Sequence, residues 1–300
     1  MKRGIKIFLL FIFPYCLNPL FASDREMVGL GAHLCDDGTT MRVSSYNIRY
    51  DAAADHASGN AWSLRMEPLA ALIRHNRFDI IGTQEGNFKQ MAELKALLPE
   101  YDYVAYPYGG SNADNHTAAI VYRKDKYEVL DQGVFWLSET PYEQSIGWDA
   151  TDTRICAWAK MRDKLTGKSF YFFNAHFYWR YTTAKANSGP LVVRMIQEIV
   201  NENIPVICTG DYNSTPSTPQ IQSIKGFLSD ARDVAVHAPF GSEDTNLGGG
   251  NFQGEAKGRI DYIFVNDRIQ VLNYVVLSDT YANGKHPSDH LPVVCDVVLR

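Results

Sequence analysis

Long apolar runs are scarce in this chain, and the one at its front, Ile7 to Phe13, is too short and too soon broken by Pro14 to span a bilayer well. Internal repeats, low-complexity tracts and linkers are absent, which favours one domain over residues 41–300, after a polar lead over 23–40. Cysteine is sparse. Cys16 falls in the front segment, and Cys35, Cys156, Cys208 and Cys295 are too few for a disulfide scaffold in a chain of 300 residues. Cys208 and Cys295 lie in apolar runs, the setting of buried thiols, while a disulfide between some pair stays open. Positive charge is also short. Lys2, Arg3 and Lys6 precede the apolar run and Leu20-Phe21-Ala22 offers a small residue before Ser23, so residues 1–22 read as a secretory signal peptide, with an uncleaved anchor as the other reading. Its removal takes three basic residues and no acidic one, leaving 26 basic against 34 acidic and moving the net charge from −5 to −8. Such a chain, expected in the periplasm or outside the cell, has no general affinity for nucleic acid. A polyanionic substrate must be held by a local patch or a metal.

What is present is the composition of a soluble globular protein, 45% hydrophobic and 21% charged. Met41 to Tyr46 alternates like a strand and ends at Asn47; Phe78 to Thr83 is a short buried strand running into Glu85. Leu69, Leu72 and Ile73 give helical spacing with Pro68 expected in the first turn, and Met91, Leu94, Leu97 and Leu98 form a second helical face stopped by Pro99. Ala118–Tyr122 and Tyr127–Leu130 are strands separated by the charged turn Arg123–Lys126, a connection short enough to predict antiparallel neighbours. Cys156–Ala159 and Phe170–Phe173 form two more, the second running into Asn174 and His176, and Ser188-Gly189-Pro190 is expected to open a helix through Val200. Ile204 to Thr209 reads as a strand buried on both faces, followed at once by Asp211 and Asn213, which face the same way if the backbone stays extended. Gly248-Gly249-Gly250 reads as a flexible loop with no following helix to make a phosphate cradle. Arg259–Val265 is a strand with Asp261 able to neutralise Arg259, and the polar turn Lys285–His290 precedes the last strand.

Asn47, Glu85, His176, Asp211, Asn213, Asp261, Asp289 and His290 all sit at or beside the ends of strand-like runs. Each alone has an ordinary explanation as a cap, turn former or ion-pair partner. If the runs pack as neighbours in two facing sheets, the whole set converges on one rim.

The stretches Ser45-Tyr46-Asn47, Gln84-Glu85, Asn174-Ala175-His176, Gly210 to Asn213, Arg259 to Ile263 and Ser288 to Val293 are similar, in order, to the motifs of the endonuclease/exonuclease/phosphatase family, the superfamily of deoxyribonuclease I. Phe135–Pro141 with Gly147-Trp148-Asp149 further resembles a secreted bacterial subgroup. The resemblance implies an α/β fold, a two-sheet β-sandwich flanked by helices in four layers, and Mg²⁺-assisted hydrolysis of a phosphate ester, with Mn²⁺ as a substitute. It places Asn47, Glu85 and Asp289 on the metal side, where a hard dication prefers oxygen ligands. Asp211 and Asn213 would orient and deprotonate water, while Asp261 would hold His290 as a charged imidazole against the phosphoryl oxygens, with His176 donating a second bond. Asp211 and the Asp261–His290 pair stand as alternative bases. On the substrate side are Asn174, Arg154, Tyr178, Trp179 and Arg180. His176-Phe177-Tyr178-Trp179 departs from relatives that carry an aspartate and a second histidine here, so these aromatics either stack on a base or sugar or are packing. The first functional reading is a phosphodiesterase of nuclease type; the alternative is a phosphomonoesterase on a sugar or inositol phosphate, and a catalytically silent binding module is the alternative of another class. No obligate protein partner is implied.

Overall fold

A near-continuous apolar strand needs cover on both faces, and here two sheets cover one another while helices cover their outer sides. The computed structural model describes residues 39–300 apart from 110–114 and 181, so the signal segment over 1–22 and Cys35 lie outside the described residues. In chain order the elements are β1 Thr40–Asn47, α1 Ala53–Ala57, α2 Trp62–His75, β2 Ile80–Asn87, α3 Phe88–Leu97, β3 Tyr101–Pro107, β4 His116–Arg123, β5 Tyr127–Trp136, β6 Ile155–Asp163, β7 Ser169–His176, α4 Thr182–Ile199, β8 Val206–Asp211, α5 Pro219–Lys225, β9 Ser229–Asp230, α6 Ala231–Val234, β10 Phe240–Gly241, β11 Asp261–Val265, β12 Ile269–Val276 and β13 Val293–Leu299. A seven-stranded sheet runs β10-β12-β13-β1-β2-β4-β3, and a six-stranded sheet runs β5-β6-β7-β8-β11-β9. This is the α/β two-sheet sandwich expected. Among the described residues no helix is long and apolar enough to cross a membrane.

Alternation along the strands fills the layers. Val43, Ile80 and Ile120 of the first sheet meet Phe170, Phe172, Ile207 and Ile263 of the second in the central core. The opposite parity of β7, Tyr171 and Phe173, packs with Val192, Ile196, Ile221 and Ile224 of α4 and α5. Each such side chain contributes about 1.5–3 kcal/mol when fully buried. Cys156, Cys208 and Cys295 are buried free thiols.

Asn174 shares the inward parity of Phe170 and Phe172, and its amide ties the sheets together. Its Nδ2 donates to the carbonyls of Thr83 at 2.7 Å and Ala119 at 2.9 Å, and its Oδ1 accepts from Gln84 Nε2 at 2.7 Å and Thr209 Oγ1 at 3.1 Å. The expected substrate role of Asn174 is therefore corrected: every polar atom of the side chain is used inside the core. Gly82 faces it, and a Cβ there would lie 2.0 Å from Thr209 Oγ1 and 2.6 Å from Asn174 Oδ1, so only glycine admits the tie.

Three local expectations also change. β4 and β5 do not pair; the three-residue link over 124–126 carries the chain from one sheet to the other, with Lys126 held by Asp79 at 2.8 Å, because a short connection fixes proximity but not a shared sheet. Pro68 lies inside α2 rather than in its first turn, since the helix already starts at Trp62, whose N–H donates to Asp51 at 3.0 Å. α4 begins well before Pro190, with Asp149 accepting from Ala184 N at 2.7 Å, and Gly189 allows the close approach of α5: a Cβ there would sit 2.3 Å from the Gln220 carbonyl.

Candidate active site

Strand register assembles the site. His176 pairs with Asp211 across β7 and β8, and Asp211 with Asp261 across β8 and β11, so three polar side chains stand in one row. In the facing sheet β1 ends at Asn47 beside Gln84 of β2, and Glu85 follows. The sheets thus bring all eight strand-end residues together at one rim, around a cavity of about 730 Å³ whose wall includes Glu85, His176, Asp211, Asn213, Asp289 and His290.

Asn47 and Asp261 stand behind that wall, fully buried. The Asn47 amide donates to Glu85 Oε1 at 3.1 Å and Asp211 Oδ2 at 3.0 Å, bracing the two carboxylates, while its Oδ1 accepts the Arg49 N–H at 3.0 Å. Glu85 has a left-handed backbone, φ 70°, unusual for a non-glycine residue; its N–H donates to the Tyr108 hydroxyl at 3.2 Å and its Oε2 accepts from Tyr50 N at 3.3 Å. Asp289 Oδ2 accepts from Gly250 N at 2.7 Å and lies 3.6 Å from Arg49 Nη1, which is also 4.0 Å from Glu85. The glycine loop thus has a structural duty that its composition did not announce. Asn213 does not continue an extended strand: its φ is 48°, and its N–H folds back onto Asp211 Oδ1 at 2.9 Å, a turn that asparagine tolerates.

Asp261 Oδ2 lies 2.9 Å from His290 Nδ1, and His290 Nε2 lies 3.8 Å from Asp211 Oδ2. Arg259, the expected partner of Asp261, instead pairs with buried Asp230 at 2.7 Å, leaving Asp261 to the histidine. Burial opposes charge on His290, but Asp261 and Asp211 outweigh it and hold its pKa well above the ordinary value. Burial and the charge of Asp261 push Asp211 up to about 7. For Glu85 burial raises the pKa, yet Arg49 and His290 together with the Asn47 bond bring it below the ordinary value. His176 goes the other way: burial, then the Arg154 charge, push it well below its ordinary value and leave a neutral ring.

The donor set fits a hard dication. Glu85, Asp211 and Asp289 offer carboxylate oxygens at the cavity, and Asp261 Oδ1 is buried without a hydrogen-bond partner among the described residues. Asp211, Asp261 and His290 present ligand atoms all within 4.8 Å of one another, a cluster able to hold a divalent metal.

Of the expected substrate contacts, Arg154 and Trp179 line the cavity. Tyr178 is buried, with its hydroxyl 2.8 Å from Thr151 Oγ1, so it belongs to the packing beneath; Arg180 is exposed and stacks on the Trp179 ring at 4.2 Å instead of lining the wall. Arg49, Tyr50, Tyr108 and His116 also line the cavity and were not anticipated. Arg49 and Tyr50 come two and three residues after β1, Tyr108 directly follows β3, and His116 opens β4, so the strand-end signal extends to them.

A two-sheet sandwich carrying paired carboxylates, imidazoles and a metal-competent cluster at one rim defines the metal-assisted phosphoesterase class. The chain belongs to the endonuclease/exonuclease/phosphatase family, whose model matches residues 44–290. It is similar to a mannosyl-6-phosphatase of Bacteroides thetaiotaomicron, with 35% identity, 86% of this chain and 100% of that chain covered, and a TM-score of 0.82. An endonuclease/exonuclease/phosphatase from Bacteroides vulgatus matches with 35% identity, 87% and 100% coverage and a TM-score of 0.80. An uncharacterised protein of Acanthamoeba polyphaga mimivirus is 26% identical over 272 residues, 85% of this chain and 98% of that protein.

Proposed function

We propose that the protein is an exported Mg²⁺-dependent phosphomonoesterase acting on a sugar phosphate. The observation that carries this is the 35% identity, over essentially the whole of that chain, to a mannosyl-6-phosphatase. The monoester reading thereby displaces the phosphodiester reading favoured on sequence. A cavity of about 730 Å³ suits a small phosphorylated molecule, and half-exposed Trp179 offers a face to a sugar ring. The acidic chain has no general pull on long nucleic acid. Export rests on the basic-then-apolar pattern of residues 1–22, and N-terminal sequencing of the secreted protein tests it.

Glu85 and Asp289, with Asp211 beside them, would hold Mg²⁺. Bound there, the ion would offset phosphate charge and the charge developing on the leaving oxygen. Asp211 is placed to take a proton from the attacking water, while Asn213 helps to orient that water. His290, kept charged by Asp261, faces the phosphoryl oxygens as a cation and not as a base. Neutral His176 donates one further hydrogen bond.

Purified protein incubated with mannose 6-phosphate, other sugar phosphates, inositol phosphates, bis-p-nitrophenyl phosphate and plasmid DNA is expected to release phosphate from sugar phosphates and to stop when chelator is added. Cleavage of DNA or diester without sugar-phosphate hydrolysis would overturn the monoester reading, and release that survives chelation would overturn the metal.

A further inference from the structure

Among the described residues two arginines line the cavity, and their surroundings differ. Arg49 is already engaged: its Nε lies 3.0 Å from Asp55 Oδ2 and its Nη1 is 3.6 Å from Asp289. Arg154 makes no ion pair among the described residues, and its Nε is buried without a hydrogen-bond partner. It is flanked by the rings of Tyr108 and Tyr178, with centroids 5.3 Å and 5.7 Å from its Cζ. The rings stabilise the cation, and its buried Nε–H is a donor in want of an acceptor.

Its place in the chain puts it beside the reaction centre. Arg154 precedes β6, whose Cys156 pairs with Ala175, the neighbour of His176 on β7. Arg154, His176 and Trp179 share the cavity wall. The nearby acid in that wall, Asp152, accepts from Thr151 Oγ1 at 3.1 Å and makes no ion pair with Arg154 among the described residues.

Resting on the phosphomonoesterase reading, we infer that Arg154 receives the terminal phosphate oxygens that a monoester has free and a diester does not, and so sets the preference for monoesters. A monoester carries about −1.5 to −2 charges at neutral pH and three terminal oxygens. A diester carries one charge and has its third oxygen esterified. The flat fork of a guanidinium matches two terminal oxygens at once, so a substituent on one of them removes part of the contact and leaves the arginine's donors desolvated without an acceptor.

The test compares p-nitrophenyl phosphate with bis-p-nitrophenyl phosphate, which share a leaving group, in the wild type, Arg154→Gln and Arg154→Lys, all with Mg²⁺. For Arg154→Gln, kcat/KM on the monoester is expected to fall on the order of 100-fold and on the diester by no more than about 3-fold, with Arg154→Lys recovering part of the loss. In parallel, inorganic phosphate is expected to raise the melting temperature of the wild type and not of Arg154→Gln. Equal losses on both esters, no loss on either, or undiminished stabilisation of Arg154→Gln by phosphate would overturn the inference. If the wild type hydrolyses no monoester, the reading beneath it fails and the preference with it, whereas the phosphate measurement still reports whether Arg154 is the anion receptor. Should Arg154→Gln not fold, Arg154→Lys carries the same comparison.

Discussion

The hydroxyl of Tyr108 lies 2.6 Å from Nδ1 of His176. The same hydroxyl accepts the N–H of Glu85 at 3.2 Å, so its own proton is directed to the imidazole. Burial keeps the phenol far above its ordinary pKa and hence protonated. Nδ1 is therefore the acceptor, and Nε2 bears the ring hydrogen, 3.4 Å from Asp211 Oδ2 and facing the reaction centre. The Asn213 amide, 3.2 Å from Nε2, then directs its hydrogen to the Phe177 carbonyl at 3.0 Å. Tyr108→Phe frees the tautomer, and kcat is expected to fall about 10-fold or more with a smaller change in KM. A matching fall in stability alone, read by melting temperature at unchanged kcat, would place Tyr108 in packing.

Removing the charge of Glu85 tests the metal side. Glu85→Gln keeps the size of the side chain but can accept from only one of Asn47 Nδ2 and Tyr50 N, and is expected to abolish the thermal stabilisation given by Mg²⁺ and to lower kcat/KM by about 1,000-fold or more. Mg²⁺ titrations followed by calorimetry check it independently of turnover.

The cluster at Asp211 ties stability to pH in the metal-free protein. Burial and Asp261 raise Asp211 from an ordinary 3.8 to about 7, so between these values the folded chain holds a proton that the unfolded chain has released. This contribution is full below the unfolded value and lost as pH rises through the folded one. In chelator, the urea midpoint is expected to decline from about pH 4 to about pH 7, and Asp211→Asn to flatten that decline. A midpoint rising over the same interval in the wild type would contradict the raised pKa.

Asp261→Asn tests the histidine pair. Without the carboxylate 2.9 Å away, His290 loses the group that most favours its charge. kcat is expected to fall by about 100-fold or more, and the alkaline limb of the rate profile to move to lower pH, since the imidazolium then deprotonates earlier.

Asn174→Ala separates core from site. Four hydrogen bonds vanish between the sheets and leave two carbonyls buried without that donor, so stability is expected to fall by about 3 kcal/mol or more in urea melts. The folded fraction at low temperature is expected to retain its KM, because the side chain does not reach the cavity.

The fold was legible because its strands are apolar, short and ended by polar residues; β8, buried throughout, is such a case. The eight strand-end residues were legible as a set for the same reason, each polar group sitting where a strand leaves the core. Tyr108 and Arg49 escaped notice because a tyrosine or arginine after a strand has many ordinary uses, and only the third dimension shows what each touches. Asn174 was misassigned since adjacency to His176 in a strand carries no information on which of the two lies deeper along the same face. The switch of sheets between β4 and β5 has no local signature: four charged turn residues suit a hairpin and an arch equally.

Gly82, Asn174 and Thr209 meet directly beneath the rim. Glu85 lies three residues beyond the first, and His176 and Asp211 lie two beyond the others. The contact thus works as a gauge block: the distance between the two sheets at this point sets the gap across which Glu85 of one faces His176 and Asp211 of the other. Any side chain added at Gly82 would widen that gap, and a change far inside the sandwich would be read out as a change in the span available to a phosphate.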